Sequence, residues 1–164
     1  VGLPMGTRCG DLDSGVLQFL MNKYGYSIDE MLNILNKKSG VLGVSGVSSD
    51  FRDLEDAEAA GNERASLALE LFFYDVAKVI GSYAAAMNGV DGIIFTAGVG
   101  ENSGETREAI CKYLTYLGCE IDPEPNRTRG KEVFISTPES RVKLMVIPTN
   151  EELVIARDTQ ALVG

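Results

Sequence analysis

The segment that most constrains the fold is a long stretch at residues 62–87, which has helical character and is ended by an Asn-Gly pair. Apolar side chains lie on nearly every side of the predicted helix, and only a narrow stripe through Asp75, Lys78 and Ser82 stays polar. A helix with so wide an apolar surface is buried on more than one face. The sequence therefore predicts a central core helix, which can at the same time form a subunit interface.

The other predicted elements alternate between helix and strand, which indicates an α/β domain with helices covering a mixed sheet. Residues 41–47 are too rich in glycine to predict a strand. The last two strands are too close in sequence for a crossover helix, and this favours antiparallel pairing. The remaining predicted helices lie at residues 14–23, 27–39, 50–60, 105–117 and 149–162, and the predicted strands at residues 92–97, 133–136 and 142–147.

Three helix ends carry recognisable signals. Ser27 with Glu30, and Thr149 with Glu152, have the spacing of capping boxes, in which each side chain bonds the other residue's backbone N–H. Gly40 is predicted to end the second helix as its C′ residue. These signals fix where the second and the last helices should begin.

The charge balance limits the partners of the chain. It has 15 Lys and Arg against 24 Asp and Glu, a formal net charge of −9. Nucleic acid and anionic membrane surfaces would repel such a chain, so neither is expected as a partner. No apolar run approaches the roughly 20 residues that span a bilayer, and the first ten residues lack the pattern of a signal peptide.

The three cysteines and the absence of histidine narrow the chemistry further. Cys9, Cys111 and Cys119 are odd in number and lack metal-ligand spacing, so we expect reduced thiols in a cytoplasmic protein. Without histidine, neither His-based catalysis nor a His-ligated metal can arise within these residues. Since position 1 is Val rather than Met, a fragment or a processed chain is expected.

Residues 95–104, FTAGVGENSG, contain the strongest local signal. A strand ends, glycines allow a ligand to approach the backbone closely, and a helix begins just beyond, where N–H groups suit phosphate or ribose oxygens. The spacing matches neither the dinucleotide fingerprint nor a Walker A loop. Spacing alone leaves nucleotide binding and a simple tight turn equally open.

Three further segments carry candidate residues, each with an ordinary alternative. Arg8 lies among glycines and could bind phosphate, although a solvent-exposed loop arginine is the commoner case. Asp50, Phe51 and Arg52 could contact a ribose and a base, or simply begin a helix.

Glu151, in the first turn of the last helix, could bind Mg²⁺, whereas capping already explains its neighbour Glu152. Two aspartates near Arg8, Asp11 and Asp13, could be metal ligands, but capping the next helix is the simpler role.

Taken in order, the segments Met5-Gly-Thr-Arg8, Gly46-Val-Ser-Ser-Asp50-Phe-Arg52, Phe95-Thr-Ala-Gly98-Val-Gly-Glu-Asn102 and Asn150-Glu151-Glu152-Leu resemble the acetate kinase family. Propionate kinases share them. The resemblance covers essentially the whole chain and implies a ribonuclease-H-like domain of the actin, hexokinase and Hsp70 type. Residues 1–164 would be the C-terminal nucleotide-binding domain of a two-domain enzyme.

The same resemblance implies reversible, Mg²⁺-dependent phosphoryl transfer between ATP and acetate, giving acetyl phosphate and ADP. Arg8 would stabilise the transition state, Glu151 would bind Mg²⁺, and the protein would be a homodimer through this half. The residues implied to line the nucleotide are Asp50, Phe51, Arg52, Gly98, Val99, Gly100, Glu101 and Asn102.

Two departures from the family pattern are mild: Cys9 stands where Ser is expected and Ser14 where Pro is common. The family's catalytic Asp, second substrate-binding Arg, active-site His and His-Leu-Gly loop would lie upstream of position 1, so we expect this chain alone to be inactive. A stand-alone nucleotide-binding or dimerisation module and a propionate kinase remain the alternatives.

Overall fold

The computed structural model describes residues 2–163, and the chain divides into two compact units, Val1–Ser82 and Tyr83–Gly164. The first unit is helical and the second contains the only sheet of the described residues. Each unit is presented by itself.

The first unit consists of α1 (Ser14–Tyr24), α2 (Ile28–Lys37), α3 (Gly40–Ser45), α4 (Phe51–Ala59) and most of α5 (Glu63–Ala86). Asp13 caps α1 by accepting a hydrogen bond from the Gly15 backbone N–H. The predicted Ser27–Glu30 capping box is present at the start of α2. The core of this unit is apolar and almost completely buried: Met31, Val41, Leu54, Ala65, Ala68, Leu69 and Phe72.

Helix α5 confirms the predicted long helix to within one residue at each end. Its buried residues include Ala65, Leu69 and Phe72, so one face packs into the core. Large apolar side chains also lie exposed along it: Leu67, Tyr74 and Tyr83. Part of the wide apolar surface of α5 is therefore exposed within this chain, since those side chains are about half exposed or more.

The second unit runs β1 (Gly92–Phe95), α6 (Ala97–Asn102), α7 (Gly104–Lys112), two short 3-10 helices, β2 (Val133–Phe134), β3 (Lys143–Val146) and α8 (Glu151–Val163). The strand order is β1-β3-β2, with β1 parallel and β2 antiparallel to the central β3. The mixed sheet and the antiparallel pairing of the last two strands are confirmed. Because β1 and β3 are parallel, Phe95 pairs with Val146, and both strands end at the same edge of the sheet.

Three local predictions are wrong. Gly40 does not end α2, which stops at Lys37; it begins α3 with a left-handed φ of 64°, and this short helix occupies the glycine-rich segment that predicted no element. Residues 97–102 form a helix rather than a glycine loop. Helix α8 is capped by Asn150, whose Oδ1 accepts from the Leu153 N–H at 3.0 Å, so the predicted Thr149–Glu152 capping box does not form.

Candidate functional site

The loop that carries Arg8 is held by the backbone at the start of α3. The N–H groups of Val41 and Leu42 donate to the carbonyl oxygens of Met5 and Gly6, at 2.9 and 3.0 Å. The Arg8 side chain itself is exposed. An exposed guanidinium on a fixed backbone is suited to binding an anionic ligand. Little of the loop must be ordered on binding, so the entropic cost is small.

Gly40 permits this close approach, and the sequence analysis missed that role. A Cβ at Gly40 would overlap the Met5 carbonyl oxygen and lie 2.7 Å from the Arg8 carbonyl oxygen. Its φ of 64° also lies in the left-handed region that side chains disfavour. Only glycine therefore allows the Arg8 loop to pack here. The sequence showed a glycine at the end of a predicted helix, but it could not show which segment of the chain packs against that glycine.

Asp50 and Arg52 pair with each other at the start of α4. Asp50 Oδ1 accepts from the Arg52 backbone N–H at 2.9 Å and from Nε at 3.1 Å, and Oδ2 accepts from Nη2 at 2.6 Å. The Arg52 side chain is nevertheless 86% exposed. The hydrogen bonds from Arg52 lower the pKa of Asp50 from 3.8 to about 2. A ligand that takes either side chain must therefore compete with this pair.

Phe51, predicted to lie against a base, packs into its own unit. Its ring is half-buried and meets the Phe72 ring edge-on, with centroids 4.6 Å apart. The start of α4 also lies close to the Arg8 loop, since a Cβ at Gly6 would come within 2.8 Å of the Ser49 carbonyl oxygen. The structure thus brings two of the four predicted segments together within the first unit.

In the second unit, the predicted glycine loop is the short helix α6, which directly follows β1. Ala97 enters it with a φ of 59°, an unusual conformation for a residue with a side chain. Gly98 is exposed, and a Cβ placed there would meet no atom within 4 Å. The Asn102 side chain turns back and donates to the Gly98 carbonyl oxygen at 2.9 Å. The open side of α6 is therefore its first turn, around Gly98.

Arg107, which the sequence analysis did not single out, supports α6. It is completely buried, and its guanidinium donates to four oxygens that carry no charge. Nη1 bonds the Gly100 carbonyl at 2.7 Å, and Nε bonds Asn126 Oδ1 at 2.8 Å. Nη2 bonds the carbonyl oxygens of Asn126 and Thr128, at 2.5 and 3.0 Å. Burial lowers the pKa of Arg107, but an arginine remains charged.

Glu101 lies on α6, and its carboxylate contacts a distant part of the chain. Oε1 accepts from the Thr149 backbone N–H at 2.7 Å and from the Thr149 hydroxyl at 3.0 Å. The bond from the Thr149 amide is the main cause of the lowered pKa of Glu101. This residue is predicted to contact the nucleotide, and in this structure its side chain joins two segments of the second unit.

Glu151 is the predicted metal ligand. It lies exposed in the first turn of α8. Residues 2–163 contain no cluster of three or more Asp, Glu, Cys or His that could hold a metal ion by themselves. One exposed carboxylate fits Mg²⁺, which commonly takes one or two protein carboxylates and completes its shell with water and substrate phosphates. It would not suffice for an all-protein metal centre.

The fold matches those of solved short-chain acyl kinases. The acetate kinase of Porphyromonas gingivalis superposes with a TM-score of 0.93 at 52% identity, over 99% of this chain and 41% of that one. A propionate kinase of Francisella tularensis gives 0.88 at 41% identity, over 95% of this chain and 40% of that one. The α/β prediction is thus confirmed.

The chain belongs to the acetokinase family, whose model matches residues 1–157. Among relatives, the acetate kinase of Carboxydothermus hydrogenoformans is 60% identical over 162 residues, which make up 99% of this chain and 40% of that protein. The chain spans about two fifths of the length of the relatives it matches. Within residues 2–163, no helix is both long and apolar enough to cross a bilayer.

Proposed function

We propose that the full-length protein catalyses reversible phosphoryl transfer between ATP and acetate, giving ADP and acetyl phosphate. Membership of the acetokinase family over residues 1–157 is the observation that carries this proposal. An acetate kinase that is 60% identical supports the choice of acetate. Phosphoryl transfer of this kind depends mainly on positioning the reactants and on stabilising spreading negative charge.

Arg8 has the central catalytic role in this proposal. An exposed guanidinium on a loop held by the start of α3 can reach a transferring phosphoryl group without disturbing the fold. Its planar donors match phosphate oxygens and favour the transition state, in which negative charge spreads over those oxygens. Asp50, Phe51 and Arg52, together with residues 98–100 and Asn102, would bind the nucleotide. Gly98 supports this best, because its exposed backbone leaves room for a ligand.

Mg²⁺ would accompany the nucleotide, with Glu151 as the protein ligand. When bound, the cation supplies charge neutralisation between the phosphates. The role of the chain is to present the Glu151 carboxylate at a fixed helix start, which the Asn150 cap provides. The likeness to a propionate kinase favours propionate as the alternative substrate.

Two further parts of the proposal concern the state of the protein. The exposed apolar residues Leu67, Tyr74 and Tyr83 of α5 support a homodimer through this helix. The net charge of −9 and the family support a cytoplasmic enzyme that binds neither nucleic acid nor membranes. Because the chain covers two fifths of its relatives, we propose that it does not sustain the reaction alone and supplies the adenosine-binding half of the active site.

The decisive experiment measures acetyl phosphate formation by the full-length protein and its variants. We expect Arg8→Ala to lower kcat by about 100-fold or more while the melting temperature stays unchanged, because the side chain is exposed. Arg127→Ala, which alters another exposed arginine, is the matched control and should retain full activity. An Arg8→Ala enzyme with wild-type kcat would contradict the proposed role.

Three companion assays separate the alternatives. The ratio of kcat/KM for acetate and propionate decides between the two acids. Adding ATP, acetate and Mg²⁺ to the isolated 164-residue chain should yield no sustained acetyl phosphate. Calorimetry with ADP on that chain tests the alternative of a stand-alone nucleotide-binding module, since binding without any activity of the full-length protein would favour the module.

A further inference from the structure

Glu101 is bonded at three points to parts of the chain far from it in sequence. Its Oε1 accepts from both the N–H and the hydroxyl of Thr149. Its main-chain carbonyl accepts from the Gly130 N–H at 3.2 Å. These bonds direct the carboxylate towards the segment before α8. They occupy the side chain that the family resemblance implies for nucleotide binding.

Thr149 lies directly before the start of α8, so its position helps to set the position of that helix. The next residue, Asn150, caps that helix, and Glu151 is its first residue. On its other side, the Ile147 N–H donates to the Phe95 carbonyl at 3.0 Å, where β1 ends and α6 is about to begin. Two contacts therefore join the segment that follows β1 to the segment that follows β3: this backbone hydrogen bond, and the hydrogen bonds between Glu101 and Thr149.

Charge also argues against Glu101 as a phosphate contact. A carboxylate and a phosphate repel each other, more strongly where water is excluded. Bonded to an amide and a hydroxyl, the same carboxylate makes charge-assisted hydrogen bonds, which are about twice as strong as neutral ones. The bonds fix two segments that carry proposed site residues, the turn at Gly98 and the helix start at Glu151.

We propose that Glu101 is a positioning residue that fixes the start of α8, and with it Glu151, relative to the first turn of α6. It does not contact the nucleotide itself. This inference rests on the proposed function for the roles of Glu151 and Gly98. The contact between Glu101 and Thr149 can be tested independently of those roles.

The first measurement is hydrogen–deuterium exchange of the full-length protein without nucleotide or metal. Glu101→Ala removes both bonds to Thr149, so we expect the amides at residues 149–153 to exchange about tenfold faster. Glu108→Ala, which removes an exposed carboxylate of α7 that pairs only at the surface with Lys112, is the control and should leave these amides unchanged. Unchanged exchange in Glu101→Ala would overturn the proposal.

The second measurement follows the dependence of the rate on Mg²⁺ at a fixed ATP concentration. Thr149→Val removes only the hydroxyl donor, so we expect it to raise the half-saturating Mg²⁺ concentration less than Glu101→Ala does. The double variant should match Glu101→Ala, because both changes break the same contact. The KM for acetate should stay constant in all three variants.

A direct nucleotide ligand would give a different pattern. Glu101→Ala would then weaken ATP binding in the absence of Mg²⁺, and Thr149→Val would behave as the wild type; that result would overturn the positioning role. If the wild-type protein shows no Mg²⁺–ATP chemistry, the proposed function fails, while the exchange experiment still decides whether Glu101 fixes the start of α8.

Discussion

The two segments predicted to bind nucleotide, residues 50–52 and residues 98–102, satisfy their polar groups in opposite ways. Asp50 and Arg52 bond each other within three residues, and both lie at the surface. In α6, by contrast, the Gly100 carbonyl accepts a hydrogen bond from the buried Arg107. The Glu101 carboxylate accepts one from Thr149, which is distant in the chain. The first segment can exchange its internal pair for a ligand, whereas the second is already fixed.

This difference has an energetic basis. Exposed ion pairs contribute little to stability, because water screens them and two flexible side chains must be ordered. A buried arginine bonded to several carbonyl oxygens is costly to remove, since each oxygen then lacks a partner away from water. The α6 region should therefore resist rearrangement, and the start of α4 should not. The following predictions test that contrast.

The largest expected effect is that of Arg107→Met. Three carbonyl oxygens and the Asn126 side chain would lose their donor in a buried place. We expect the free energy of unfolding to fall by ~3–5 kcal/mol, measured by urea denaturation. Arg127→Met is the matched control, because that arginine pairs with Glu124 at the surface, and it should change little. Equal effects of the two variants would contradict the supporting role of Arg107.

Gly40→Ala should have the next largest effect, by displacing the loop that carries Arg8. The new Cβ would overlap the Met5 carbonyl and take a left-handed φ, so the free energy of unfolding should fall by ~2–4 kcal/mol. Gly46→Ala isolates the φ contribution, since that glycine also has a φ of 68° but no atom within 4 Å of a Cβ. Circular dichroism melts of both variants measure the difference. Similar losses would mean that the close approach to the loop is unimportant.

The contrast between local and distant bonding also explains which features were predictable. Ser27 and Glu30 lie within one helical turn, so their spacing alone indicated the capping box that is present. At the last helix, Asn150 outcompetes the adjacent Thr149, in line with the stronger capping preference of Asn, and this signal was available. Two of the residues that Arg107 bonds, Asn126 and Thr128, lie about twenty residues further along the chain, and no local pattern predicts them.

Gly98→Ala should affect binding and not stability. Its Cβ would point into open space, and alanine is the better helix former, so the melting temperature should not fall. If the nucleotide approaches this backbone closely, the added methyl group should weaken ADP binding about tenfold, as measured by calorimetry on the full-length protein. Glu108→Ala on the adjacent helix serves as the control. Unchanged ADP affinity would remove the main support for a ligand at α6.

The smallest effect concerns the pair at the start of α4, whose acid can be titrated directly. The hydrogen bonds from Arg52 hold the pKa of Asp50 at about 2, against an ordinary value of 3.8. Because the folded-state pKa is the lower one, the pair stabilises the fold above pH 3.8, and this contribution is lost as the pH falls towards 2. In Arg52→Gln, the carboxyl resonance of Asp50 should titrate nearer its ordinary value in NMR spectra, while the melting temperature at pH 7 hardly changes.

A pKa of Asp50 that stays near 2 in this variant would assign the shift to the helix N-terminus, whose amides also favour a carboxylate there. Arg52 would then be available to a ligand without first releasing Asp50, and the contrast with α6 would be weaker.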